Sequence, residues 1–353
     1  MQFKLTKIKS KGNYMMMIKK KLVNLILVGA LGTSLLTGCA QGNENNSSTN
    51  SSANKDLLSI GISQLVEHPS LDKARVGFIK ALEDNGYIDG ETITLDYQNA
   101  QADLPTTQTI ANKFVSNKKD LIFAISTPSA QAAYNATKDI PILMTAVTDP
   151  VAAGLVKSLE QPETNVSGTS DYLPIEKNLE LIKTLIPDAK SIGVLYNTSE
   201  VNSKVQVDML KAYASENNYT VVEKGVSSAN EINQAMSSLV GNIDVLYVPT
   251  DNLIVSSMPL VAKLATDNKV PVIASEDGSV KSGALACQGI DYEKLGYKTG
   301  ELAVKVLKGE QVSTMPITLL DDTQIIINED TLNALSIEKP ANDNIVYITT
   351  AQN

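Results

Sequence analysis

Two stretches of this chain constrain its fold most: Asp120 to Pro150, DLIFAISTPSAQAAYNATKDIPILMTAVTDP, and Asp244 to Asp277, DVLYVPTDNLIVSSMPLVAKLATDNKVPVIASED. In the first, Leu121 to Ile125 is continuously apolar and bounded by polar residues, the pattern of a strand buried on both faces of a parallel sheet. Thr127 then suits a helix N-cap and Pro128 the first helical position, which predicts a helix over Pro128–Thr137. The strand Ile140–Val147 follows and ends in Thr148-Asp149-Pro150. The second stretch repeats the plan: apolar strand, Pro/Thr/Asp tip, helix, strand, acidic tip. Upstream, Thr92–Gln98 with Leu104–Asn117 is echoed by Thr220–Val226 with Asn230–Val240. One chain with two similar strand–helix halves predicts two lobes whose strand ends face each other.

At 353 residues with 43% apolar side chains, each half has enough material for its own core. Residues 1–38 carry seven Lys and no acid, so the remainder holds 23 basic against 39 acidic side chains. That balance excludes a phosphate-backbone binder, and no nucleic-acid partner is expected. One His and two Cys exclude most His/Cys metal sites and a disulfide framework. The chain has no nucleophile elbow, metal-ligand spacing or phosphate loop, so neither cofactor nor metal is expected.

The beginning of the sequence is an address. Lys19-Lys20-Lys21 precede an apolar run, Leu22 to Leu36, that is short for a membrane span and fits a secretory signal. Leu36-Thr37-Gly38-Cys39 resembles the lipobox of bacterial lipoproteins, in which the Cys is lipidated and becomes the first mature residue. Ala40 to Lys55, AQGNENNSSTNSSANK, is polar and low in complexity, a flexible tether with a reach of roughly 20 Å.

Beyond the tether, strand and helix alternate. Leu57–Ser63, ending at Gln64, is a strand, and Ser70–Asn85 a helix with Leu71, Ala74, Phe78, Ile79 and Leu82 on one face. A strand over Ile93–Tyr97 and a helix over Thr106–Asn117 lead into the organising stretch. A short helix is expected near Ala152–Leu159. The second half reads as helix Pro174–Ile186, strand Ile192–Tyr196, helix Asn202–Asn217, the repeated unit, strand Ala284–Ile290, helix Asp291–Leu307, strand Gln324–Asn328 and helix Glu329–Leu335. The end from Lys339 is weakly patterned. The chain is expected to cross between lobes near Asp171, near Asp291 and within Pro316–Asp322.

Several segments together carry a family resemblance: Gly61-Ile62-Ser63-Gln64 with His68-Pro69 and Leu71-Asp72, Ser126 to Gln131, Thr148-Asp149-Pro150, Tyr196-Asn197, Val248 to Asn252, and Gly289 to Tyr292 with Leu295-Gly296. From about Leu58 to Leu335 the chain resembles the substrate-binding lipoproteins of ABC importers, in the family with tryptophan and other aromatic amino-acid binding components. Cys287 departs from the small hydroxyl residue expected there. The resemblance implies an α/β, two-lobed periplasmic-binding-protein fold of type I, each lobe a doubly wound parallel sheet, with three interlobe crossovers. It implies a leader over 1–38, a lipidated Cys39 and tether over 39–56, and an N-terminal lobe of 57–170 plus about 292–318. A C-terminal lobe of 171–291 plus about 319–338 and a tail of 339–353 complete the division. The implied function is capture of a small solute, an aromatic amino acid such as tryptophan, and delivery to a permease and its ATPase. The expected setting is the outer face of the cytoplasmic membrane, anchored through Cys39, as a monomer.

A free amino acid offers a carboxylate, an ammonium and a side chain. Ser126, Thr127 and Ser129, with Pro128 at the start of a helix whose third position, Ala130, brings no capping-box carboxylate, offer donors for the carboxylate. Asp251 or Glu276 is the first choice for the ammonium, with Asp149 and Asp171 as further carboxylates. Gln64 and Asn197 are amides placed to orient either end, and Thr148 and Thr250 stand at the same tips. Each of these acids also reads as an ordinary helix cap. His68 reads as structural as readily as functional; Tyr172 and Tyr292 can stack on an aromatic solute, whereas Tyr247 reads as core. Two other functions fit the same residues: a ligand-sensing lipoprotein that docks on a receptor, and an extracellular hydrolase using Asp149, Asp251 or Glu276.

Overall fold

The structure is a computed structural model that describes residues 57–341 and 344–350. The leader, Cys39 and the tether lie outside them. The first sheet is built from β1 (Leu58–Gln64), β2 (Ile93–Asn99), β3 (Leu121–Ile125), β4 (Ile142–Thr145) and β5 (Val166–Ser170), with α1 (Pro69–Asp84), α2 (Leu104–Ser116) and α3 (Thr127–Ala136) between them. The chain then passes to a second sheet. There α4 (Ile175–Leu185), β6 (Ser191–Asn197), α5 (Val201–Glu216), β7 (Thr220–Val226), α6 (Ile232–Leu239) and β8 (Val245–Val248) come first. Next are α7 (Asn252–Ser256), α8 (Met258–Asp267), β9 (Val272–Ala274), α9 (Asp277–Lys281) and β10 (Ala286–Ile290). It returns for α10 (Tyr292–Leu307) and β11 (Thr318–Leu319), then crosses once more to β12 (Thr323–Asn328), α11 (Glu329–Leu335) and β13 (Ile345–Ile348).

Strand order is β11-β5-β4-β3-β1-β2 in the first sheet and β13-β12-β10-β9-β8-β6-β7 in the second. Five strands of each sheet, β5-β4-β3-β1-β2 and β10-β9-β8-β6-β7, follow one order, as the sequence echo implies; beyond them β11 is parallel to β5, whereas β12 is antiparallel to β10 and β13 adds a seventh strand. Every pairing is parallel except β10 with β12, which run antiparallel. Parallel strands joined by right-handed crossovers bring all their carboxyl ends to one edge, where open α/β sheets hold ligands.

The core follows the apolar runs. All five residues of β3 are buried: Leu121, Phe123 and Ile125 point to the α1 and α10 side, Ile122 and Ala124 to the α2 and α3 side. Phe123 stacks on Phe78 of α1 with ring centroids 3.7 Å apart. Helix α10 lies so close to α1 that a Cβ on Gly77 would sit 2.0 Å from the Glu293 carbonyl oxygen, and one on Gly296 1.8 Å from that of Ala74. Only glycine admits that approach, which fixes the start of α10 against the first lobe.

Three of the departures from the sequence reading concern the connections and the edge of the second sheet. Ala152–Leu159 is a series of turns rather than a helix, because Gly154 adopts φ +73° and the amides of Leu155 and Val156 both return to the Pro150 carbonyl. The helix of the second repeat is two helices, α7 and α8, broken at Ser257 ahead of Pro259, whose missing N–H cannot continue the first. The weakly patterned end contains β13, which pairs with β12 at the edge of the second sheet.

Candidate ligand site between the lobes

The carboxyl ends of both sheets meet around a cavity of about 20 Å3, lined by His68, Leu71, Ala146, Asp171, Tyr292, Val255, Glu276 and the run Thr250-Asp251-Asn252. Among the described residues, no Lys or Arg stands on its wall. The lobes touch directly around it. Thr148 and Thr250 share a hydroxyl hydrogen bond of 2.9 Å. At the start of α1, Ser70 donates to Glu276 and, at 3.3 Å, to Asp277, and it accepts from the Gly278 amide at 3.3 Å. Lys73 forms an ion pair with Asp277, which Lys281 also approaches at 2.9 Å. Burial works to raise the Asp277 carboxyl, but these two ammonium groups outweigh it and hold the pKa below its ordinary value.

Asp251 and Glu276, the first choices for an ammonium, are both helix caps with their oxygens occupied. Asp251 accepts from the amides of Ile254 at 2.9 Å and Asn197 at 2.5 Å and from the Ser203 hydroxyl at 2.7 Å. Glu276 accepts from the amides of Gly278 at 2.8 Å and Ser279 at 2.6 Å, and from the Ser279 and Ser70 hydroxyls. Asp251 is fully buried, and burial first, then the neighbouring Glu200 charge, pushes its pKa up to about 7. Glu200 is a buried acceptor that sequence reasoning missed. It accepts from the Asn197, Asn202 and Asn252 side chains and from the amides of Asn252 and Leu253, so it binds β6, α5 and α7 together.

Asp171 differs from the other two. It is 5% exposed, its Oδ2 accepts from the Tyr292 hydroxyl at 2.8 Å, and its Oδ1 has no partner among the described residues. Burial raises its pKa, against the pull of the Tyr292 and Thr148 hydroxyls. His68 Nδ1 is likewise buried without a partner, and burial holds the imidazole pKa below its ordinary value despite the surrounding acids. A buried polar atom without a partner costs about 1–3 kcal/mol, so these atoms mark where a bound molecule can repay most.

Helix α3 of the first lobe has no side-chain cap, and neither has α1. Helix α3 begins one residue earlier than the sequence suggests: Ser126, not Thr127, is the N-cap, with φ 89° and ψ 157° and no side-chain cap hydrogen bond. That backbone region is nearly restricted to glycine and costs of order 1–3 kcal/mol in a serine. Thr127, Pro128 and Ser129 are buried, the Thr127 hydroxyl has no partner among the described residues, and the first-turn amides have no intrahelical acceptor.

Other candidates are engaged elsewhere. Gln64 donates at 2.9 Å to the Val66 carbonyl and to Asp72 and accepts from Arg75, a network within the first lobe. Asp149 accepts from the Val151 and Ala152 amides and caps a turn. Asn197 supports Asp251, Glu200 and Ser199. Tyr172 is 40% exposed, and Tyr247 is core, hydrogen-bonded to Gln206 and Ser275. Cys287 is buried in the second core, which accommodates the departure seen in the sequence. Ser70 and Val255 join the site only through folding, whereas Leu71 and Asn252 lie in segments that carry the family resemblance.

Two lobes with matching parallel sheets, three crossings and a polar cavity at the facing strand ends define a solute-binding protein of the periplasmic-binding type. More particularly, residues 59–350 match the model of the ABC transporter substrate binding protein family, and the chain belongs to that family. It is 69% identical over 340 residues to a tyrosine-binding protein of Clostridioides difficile, covering 96% of this chain and 99% of that one. A solved ligand-free, open substrate-binding protein with adhesive properties from Clostridium difficile is 70% identical, with 84% of this chain and 100% of that one covered and a TM-score of 0.65. A domain from Streptococcus pneumonia solved in complex with L-Trp is 39% identical, with 81% and 96% covered and a TM-score of 0.78. Among the described residues, no helix is long and apolar enough to cross a membrane.

Proposed function

We propose that this chain captures an aromatic amino acid between its lobes and delivers it to the permease and ATPase of an ABC importer. L-Tyrosine is the first candidate, because the 69% identical relative is a tyrosine-binding protein. The observation that carries the reading is the open Oδ1 of buried Asp171, on a cavity wall that also presents Leu71, Ala146, Val255 and Tyr292. Asp171 accepts the ammonium; the first turn of α3, with the Thr127 hydroxyl, accepts the carboxylate. Strand order supports the pairing. β5, β4 and β3 are neighbours, so the tips at Asp171 and Ser126 stand two strand spacings apart, roughly 9–10 Å. An amino acid's two charged groups with a hydrogen bond at each end bridge such a gap.

Asp251 and Glu276 then shape the second lobe's tips rather than hold charge on the ligand. Their filled acceptor sites, and the turn-capping role of Asp149, count against a hydrolase, which needs an acid and a base free to exchange protons. The similarity scores support a closing motion. The relative at 70% identity, described as open, superposes less well than the L-Trp complex at 39% identity, the order expected if the lobes here are closed. Residues 1–38 serve as leader and Cys39 as the lipid anchor, with 40–56 as tether on the outer face of the cytoplasmic membrane, and the chain acts as a monomer.

The test is calorimetric titration of protein unfolded and refolded to strip carried ligand, with the twenty amino acids, dipeptides, nucleosides and sugars. L-Tyrosine or another aromatic amino acid should bind, and Asp171→Asn should weaken it at least tenfold, whereas Asp149→Asn should change it less than twofold. Binding confined to a non-aromatic solute would overturn the ligand assignment.

A further inference from the structure

Asp171 and Tyr292 each stand where the chain changes lobes. Asp171 follows β5 immediately before the chain enters the second lobe, and Tyr292 opens α10 as the chain returns. Both are buried, at 5% and 3% exposure, and the 2.8 Å hydrogen bond from the Tyr292 hydroxyl to Asp171 Oδ2 therefore joins two of the three crossings. Helix α10 is held against the first lobe by the Gly77 and Gly296 contacts and by a hydroxyl relay, Thr299 to Thr169 at 2.8 Å and Thr169 to Thr145 at 3.0 Å. The phenol is thus fixed from behind, while the other carboxylate oxygen stays without a partner on a wall that carries no Lys or Arg among the described residues. A buried carboxylate bound at one oxygen and without a partner at the other calls for a donor there, and a lining that also presents Asp251 and Glu276 favours a positively charged one.

We propose that Tyr292 is a positioning residue that turns Asp171 Oδ1 toward the ligand's ammonium and, by tying two interlobe crossings together, makes lobe closure respond to ligands that carry that ammonium. Deaminated aromatic acids enter the same cleft without closing it. The inference rests on Asp171 as the ammonium acceptor, and its failure separates from failure of that reading.

The experiment titrates L-tyrosine into the wild type, Tyr292→Phe, Asp171→Asn and the double variant. Phe keeps the ring and its packing and removes only the hydroxyl. Tyr292→Phe should weaken L-tyrosine about tenfold, and the double variant should bind within about twofold of Asp171→Asn, since one route is cut in both. Effects that multiply would overturn the positioning role while leaving Asp171 as acceptor. An Asp171→Asn variant that binds like wild type would overturn both. Hydrogen exchange of the unmutated protein gives a readout independent of variant folding. Amides at Asp171–Tyr172 and Asp291–Tyr292 should slow together on adding L-tyrosine and stay unchanged with 3-(4-hydroxyphenyl)propionate. Equal slowing with both compounds, or with neither, would overturn the proposal.

Discussion

At the scale of single residues, the site is a division of labour among carboxylates that look alike in sequence. Asp171, Asp251 and Glu276 all follow strands, yet only Asp171 keeps an open oxygen, because its amide-rich competitors cap helices. The difference depends on which helix begins beside each strand and which hydroxyls reach across from other elements, and no single-chain pattern contains the Tyr292 or Ser70 contacts. What was legible was the set of tips, not their ranking. The buried Asp251–Glu200 pair gives a pH prediction. Burial, then the Glu200 charge, pushes the Asp251 pKa from an ordinary 3.8 up to about 7, so the folded state binds more protons between those points. Its contribution is therefore most favourable below about pH 4 and is lost as pH rises through about 7. Denaturant midpoints measured from pH 4 to pH 8 should fall more steeply in the wild type than in Glu200→Gln, where one member of the pair no longer carries charge. Identical slopes would contradict the assignment.

At the scale of elements, the alternation of strands and helices was readable because buried parallel strands are continuously apolar and the helices between them keep a 3.6-residue stripe. The failures sit where local pattern yields to connection geometry: the Gly154 turn, the Pro259 break and the edge strand β13, which is recruited by β12 rather than by its own periodicity. The same scale contains the interlobe latch, α1 against α9. Ser70, Lys73, Glu276 and Asp277 meet only when the lobes are together, so their contacts add to the affinity for any ligand that needs closure. Lys73 is partly exposed and Asp277 buried, so salt screens this pair less than it would a surface one but still reaches the ammonium. Lys73→Ala should weaken L-tyrosine by a few-fold at low ionic strength, with a smaller loss in high salt and no change in α1 helicity. Unchanged affinity at every ionic strength would show that the pair contributes nothing to closure.

At the scale of the whole molecule, two sheets that share one five-strand order face each other across a cleft, and two of the three crossings that join them carry Asp171 and Tyr292. A cavity of about 20 Å3 has room for about one water, so an aromatic amino acid enters only as the lobes separate and is held as they return. Closure on the ligand is the central claim, and scattering measures it directly. Small-angle X-ray scattering of the ligand-stripped protein, with and without saturating L-tyrosine, should show the radius of gyration falling on addition, to a profile matching the lobe arrangement of this structure. A profile that L-tyrosine leaves unchanged, while calorimetry shows it bound, would contradict capture by lobe closure.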